Sequence, residues 1–240
     1  MTNFSSAAQG FGSNPYQANE TAASMGVGAL AVSSDGRKFR YTLAGGTSLV
    51  VGKLQQCPAE ITDHQGLTAA ATAIDARVSV FTLGATLASV DQYAGGLLIV
   101  TITPGVGYSY GVSGHAAVAA SGSMTCNLSD PVQVALTSTS RLDLVLNPWS
   151  GVIVHPTTKT GVPVGVAIDV VTNAKYGWIQ SGGAVGCLSD GATAVGAFVS
   201  PSTGVAGSII DATHASESTV GNAITGIADT DYGAIYLTID

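Results

Sequence analysis

The chain has 240 residues, a formal net charge of −7 and only 10% charged side chains, well under the about 25% of ordinary soluble domains. A core of this size needs no disulfide or metal staple, and with basic residues grouped only at Arg37, Lys38 and Arg40 the cationic footprint that nucleic acid demands is missing. The 31 glycines, 24 serines and 25 threonines leave a surface covered by hydroxyls or buried against other chains, which suits an assembled particle or a fibre better than a free cytosolic enzyme.

Residues 1–34 begin without the basic and apolar regions of a secretory signal, and no apolar run in the chain reaches the about 18 residues of a membrane helix. The expectation is a protein that is neither conventionally secreted nor membrane-spanning. The segment is poor core material, and its aromatic residues are Phe4, Phe11 and Tyr16. It reads either as an extended N-terminal arm that orders only against a partner, with those three rings as anchors, or as a disordered tail. A short helix is predicted within residues 20–25, stopped by Gly26.

From Asp35 the pattern changes. Asp35 and Gly36 make a tight turn, and KFRYTL then alternates Phe39, Tyr41 and Leu43 against Lys38, Arg40 and Thr42, the period of a half-buried strand. SLVVGKL reads as a second strand, joined to the first as a hairpin through Gly45 and Gly46. Arg37, Lys38 and Arg40 read as a solvated strand edge protected by like charges, which outweighs contact with an acidic partner. RVSVFTL, GGLLIVTIT, YSYGVS, MTCNL, VQVAL, LDLVL and GVIV follow, each bounded by Gly, Pro, Asp or Asn. Only AEITDHQGLTAAATAI has a claim to helix, and its Thr and Gly content argues against it.

NPWSG at 147–151 carries strong turn chemistry and marks a boundary. TGVPVGVAIDVV, KYGWIQSGGAVGCLSDG, TAVGAFVS, AGSIID, VGNAITGIA and GAIYLTID continue the β pattern. So many short strands at spacings of roughly 8–12 residues predict an all-β fold, a sandwich or barrel of which a jelly roll is one form. The expected division is an arm over 1–34, a β-domain over 35–150, and a second packed β-domain, or a continuation of the first, over 151–240.

In KYGWIQSGGAVGCLSDG, residues 175–180 read as a strand, Ser181, Gly182 and Gly183 as a turn, and residues 184–188 as the return strand; a phosphate loop would need a following Lys and a helix. Tyr176, Trp178 and Gln180 share one strand face, where an exposed Trp178 could stack a sugar. Gly177 leaves room for close packing, and packing in the core or between subunits outweighs ligand binding for Trp178 and Trp149 alike.

His64, His115, His155 and His214 have no metal-ligand spacing, and Asp63 beside His64 lacks any nucleophile signature. Glu20, Glu60 and Glu217 offer no glycosidase pair, and Asp229 with Asp231 reads as a hairpin turn rather than a calcium loop. Cys57, Cys126 and Cys187, isolated and odd in number, read as small buried apolar residues of a protein made in a reducing cytoplasm. No catalytic, cofactor-binding or metal-binding residue is predicted. The candidate packing or partner contacts are Phe4, Phe11, Tyr16, Trp149, Tyr176 and Trp178.

The blocks GRKFRYTLAGG…GKL, DQYAGGLLIVT, GYSYGVSGH, SDPVQVAL, NPWSGVIVHPT, TGVPVGVA and KYGWIQSGG, in that order over roughly residues 35–240, resemble structural proteins of tailed-phage virions, most of all those that decorate or cement the capsid. YGWIQ followed by small residues is the most specific block. The resemblance carries no catalytic residue across. It implies a β-rich homotrimer on the capsid surface of the virion, made in the host cytoplasm, that binds the phage major capsid protein and stabilises the head, without enzymatic activity, cofactor, nucleic acid or membrane. The alternative is a head fibre, tail or baseplate component that recognises host glycans, which Trp149 and Trp178 exposed in a groove would favour.

Overall fold

A computed structural model describes residues 4–5, 15–16, 19–212 and 218–240. The fold is all-β, of the sandwich and barrel class that the strand spacing predicts. The chain divides into two compact units, one formed by Met1–Ala59 with Pro148–Asp240 and the other by Glu60–Asn147. The first contains β1 (Phe4–Ser5), β2 (Leu30–Ser33), β3 (Lys38–Ala44) and β4 (Leu54–Gln56). The inserted unit follows with β5 (Leu67–Thr68), β6 (Val78–Thr82), β7 (Leu97–Ile102), β8 (Ser109–His115), β9 (Ser123–Leu128) and β10 (Arg141–Val145). The first unit then resumes with β11 (Ser150–Val154), β12 (Pro163–Ala167), β13 (Tyr176–Leu188), β14 (Phe198–Pro201), β15 (Ile209–Asp211), β16 (Gly221–Ala223) and β17 (Tyr232–Thr238).

The inserted unit is a small barrel. Its strand order, β5-β10-β7-β8-β9-β6, contains three consecutive antiparallel neighbours with the fourth strand returned beside the first, the Greek-key arrangement. A bridge between Ala69 and Phe81, with Ala70 N–H donating to Val80 O at 2.7 Å, joins the two ends of that order, so the sheet closes and few backbone groups are left on an edge. The alternation in MTCNL places Met124, Cys126 and Leu128 inward, where they meet Leu98, Val100, Tyr110, Val112, Leu142 and Leu144 in one apolar core.

In the first unit, eleven strands run in the order β1-β2-β3-β11-β4-β12-β13-β17-β16-β14-β15, with β3 also paired to β13. Its spine is β13. The sequence predicts a turn at Ser181, Gly182 and Gly183, but the structure continues through them as one strand of 13 residues. Its first half pairs with β3 from Tyr176↔Leu43 to Gly182↔Lys38, and its second half pairs with β17 from Gly182↔Thr238 to Leu188↔Tyr232. The glycines serve a change of partner rather than a reversal. The register against β3 shifts between Gln180 and Gly182, and Gly183 takes φ +85° with its missing Cβ 3.0 Å from the Arg37 stem, a conformation and a contact that a side chain would strain.

Three further expectations are corrected by this pairing. β3 and the strand after Gly45 and Gly46 form no hairpin; β11 lies between them, parallel to β3 and antiparallel to β4. Arg37, Lys38 and Arg40 border an interior strand, not an edge, because the buried Phe39 and Tyr41 between them draw β3 against β2 and β13. Residues 20–25 are a β-bridge at Glu20 followed by bends rather than helix, since Glu20 exchanges backbone hydrogen bonds with Tyr176 at 2.8 and 2.9 Å. Within the predicted arm, residues 19–33 dock on their own sheet, through that exchange, Asn19 with Thr172 and the pairing of β2 with β3. Phe11 lies outside the described residues.

Candidate functional site

The predicted contact residues gather around the spine. Trp178 is 1% exposed and packs with Ala31, Phe39 and Tyr41. Tyr41 meets it edge-on at 5.3 Å and stacks on Tyr176 at 6.0 Å. The Tyr41 hydroxyl donates to the Glu20 carboxylate and accepts from Ser24 N–H at 3.2 Å, and burial with the Glu20 bond pushes its ionisation up. Trp149 is half-buried beneath the Arg40 guanidinium, 5.2 Å from its ring, and against Gly28. Both tryptophans thus act in packing within the chain. Phe4 belongs to β1, opposite Ser33.

Tyr16 is exposed and accepts a hydrogen bond from Arg37 Nη1 at 2.9 Å. These two residues line a shallow groove of about 480 Å³ with Val51, Gln180, Val185 and Tyr232. The guanidinium is already engaged, since Arg37 Nε also donates to Asp35 Oδ2 at 2.8 Å. Gln180 is buried, and its Nε2 donates to the carbonyls of Gly182 and Ala184 at 3.0 and 2.8 Å. Apart from that guanidinium, the ionisable groups among the lining residues are the phenols of Tyr16 and Tyr232, so the groove's chemistry is that of contact.

The histidines and carboxylates that invite catalytic readings are held by other bonds. His64 is buried, with Nε2 donating to Thr86 O at 2.9 Å and Nδ1 accepting from the Tyr93 hydroxyl. Its neighbour Asp63 instead accepts from Thr86 Oγ1 at 2.6 Å. His115 accepts from Tyr93 N–H at 3.1 Å and donates from Nδ1 to Ala116 O at 2.8 Å. His155 is buried with Nδ1 lacking a partner among the described residues. His214 and Glu217 lie outside those residues. Asp229 and Asp231 cap backbone N–H groups of Gly191 and Tyr232 at 2.7 and 2.8 Å, and among the described residues no group of three His, Cys, Asp or Glu side chains is placed to hold a metal. The buried thiols of Cys126 and Cys187 are pushed up to about 12 by burial, while Cys57 is half-buried.

Sequence reasoning missed the outward face of the strands that follow the spine. Phe198, Asn222 and Tyr236 stand opposite one another across β14, β16 and β17, and Tyr232 lies on the same side of β17 as Tyr236. Phe198 is 61% exposed, Tyr236 54% and Tyr232 53%. The signal was available: in YGAIYLT the inward Ile235 and Leu237 alternate with Tyr232 and Tyr236, which puts aromatic rings where solvent-facing polar groups belong. Compared with known proteins, the chain matches no family model, no curated protein and no solved structure.

Proposed function

We propose that this chain is a structural component of a tailed-phage virion, a decoration or cement protein that binds the major capsid protein shell in many copies and stabilises the head, without enzymatic activity. The observation that carries the reading is the apolar outer surface of each unit, in strands and in loops. Apolar side chains stand in solvent on both units, among them Phe198, Tyr236 and Val195 on one and Leu87, Val90 and Ile102 on the other. Monomeric proteins seldom expose so much without a partner to cover it, and a chain with so few charges has little else with which to stay apart from its neighbours. The resemblance of the ordered sequence blocks to those of capsid-decorating proteins supplies the kind of partner.

The rival reading, a fibre, tail or baseplate protein that stacks host sugars on Trp149 and Trp178, loses its motive, because both rings are engaged within the chain. The test is co-sedimentation of the purified chain with empty shells of a tailed-phage major capsid protein. Saturable binding that raises the temperature of shell rupture is expected; shells that stay bare at high protein concentration would overturn the reading.

A further inference from the structure

The face formed by β14, β16 and β17 is specific enough to be assigned an occupant. Phe198, Asn222 and Tyr236 form one cross-strand row. Ile224 extends it on the same side as Asn222, with its N–H donating to Ala234 O at 2.8 Å beside Tyr232 and Tyr236. Val195, 71% exposed, closes the patch at the turn whose Gly196 carbonyl accepts from Asn222 Nδ2 at 3.4 Å. Three aromatic rings each a little over half open, with two aliphatic side chains, amount to about 500 Å² of largely apolar surface. That is near the upper end of what a monomer leaves uncovered, and it is a fair core for the about 800 Å² that each partner buries in a stable interface.

We infer that this face is where a second copy of the chain docks, each copy presenting Phe198, Tyr232 and Tyr236 as the central anchors. Two features of the chain fit this face to a second copy. Every copy carries the same net charge of −7, so copies repel wherever acidic side chains meet, and they approach closely only through a face without charge. None of Val195, Phe198, Asn222, Ile224, Tyr232 and Tyr236 is an Asp, Glu, Lys, Arg or His. The composition of the face, rings at the centre with a carboxamide between them, is also that of the buried middle of protein interfaces, where Tyr and Phe are enriched and Lys, Glu and Asp depleted. Because Asn222 can donate and accept, it can meet its own counterpart across a two-fold axis. The inference rests on the reading of the chain as a multi-copy assembling protein and names the surface through which it assembles.

Sedimentation velocity of the purified full chain over a wide concentration range, with no shells present, tests it. The wild type is expected to sediment as an oligomer. Phe198→Ser and Tyr236→Ser should each weaken self-association at least about tenfold, and together they should leave a monomer whose circular dichroism matches the parent. Asn222→Asp sets like charges face to face at a half-buried position while removing little packing, so it keeps the test valid if the ring variants fold poorly; it too should lose the oligomer. Leu87→Ser, on the inserted unit, should leave the mass unchanged. A monomeric wild type, or an oligomer indifferent to Asn222→Asp and to the double variant, overturns the inference. A chain that self-associates yet leaves shells bare defeats only the decoration reading, and a monomer that coats shells defeats only this one.

Discussion

Arg40 and Asp240, 200 residues apart, form a two-bond pair in which Arg40 Nε donates to Oδ2 at 2.6 Å and Nη2 to Oδ1 at 3.0 Å. The pair ties β3 to the segment after β17, which are the two strands that share β13 end to end. The Arg40 bonds hold the Asp240 carboxyl below its ordinary value. The pair therefore stabilises the unit above the unfolded carboxylate value near 3.8 and stops doing so as pH falls through the lower folded value. Asp240→Asn is expected to lower stability at pH 7 by about 1 kcal/mol, discounted for partial exposure. Urea unfolding followed by tryptophan fluorescence, which reports only the first unit, measures it; a variant equal to the parent at neutral pH would show that the pair contributes nothing.

Trp178 packs against Ala31, Phe39 and Tyr41 on one face of the paired β3 and β13, so Trp178→Ala should cost about 3–5 kcal/mol through lost burial and the cavity left behind. Tyr41→Phe keeps the ring contacts but removes the hydroxyl that Glu20 and Ser24 engage, and should cost about 1 kcal/mol. The ordering of these two costs separates packing from hydrogen bonding at this centre. Equal losses in denaturant melts would contradict it.

Tyr93 joins His64 and His115 inside the barrel. Tyr93→Phe strands the buried Nδ1 of His64 without a donor, an expected loss of about 1–3 kcal/mol. Hydrogen exchange resolves where the loss falls: amides of residues 60–147 should exchange faster while those of β3 and β13 keep their protection. Uniform acceleration across both units would place the effect elsewhere.

His155 predicts a pH dependence. Its burial, with the nearby Lys159 charge adding to it and a backbone bond at Pro156 opposing, holds its ionisation below the ordinary 6.5. The unfolded imidazole then binds a proton that the folded ring resists, so the group's contribution is complete above pH 6.5 and declines as pH falls below that value. Thermal midpoints of the parent should drop between pH 8 and pH 5 more steeply than those of His155→Gln. Parallel curves would refute the assignment.

The local pattern was readable where one face of a strand met the core. Phe39 and Tyr41 are buried as their alternation predicts, but the phase slips at Thr42, which is buried and donates to Gly177 O at 3.2 Å, leaving Leu43 half-exposed. Gly182 and Gly183 were misread because a reversal and a kink in a continuing strand ask for the same freedom near positive φ; only the distant partners, β3 and β17, distinguish them. Pairing across the chain was not legible for the same reason. Nothing within residues 35–59 announces that its neighbours lie beyond residue 150, whereas the turn at NPWSG does fall where the inserted unit ends. Trp178 lies buried among Ala31, Phe39 and Tyr41, whereas the outward places of Tyr232 and Tyr236 are written in a plain alternation.

The route of the chain into and out of the barrel has a consequence for how such a molecule can change. It leaves the large sheet after Gln56 and re-enters at Ser150, the first residue of β11, whose Ile153 is the direct partner of Gln56 on the adjacent antiparallel strand. A short connection from Gln56 to Ser150 could replace the intervening segment with no strand of the host displaced. The intervening 60–147 segment is thus placed like a cassette, free to be shortened, exchanged or lost over evolutionary time, or by design, while the sheet that carries the aromatic face keeps its wiring.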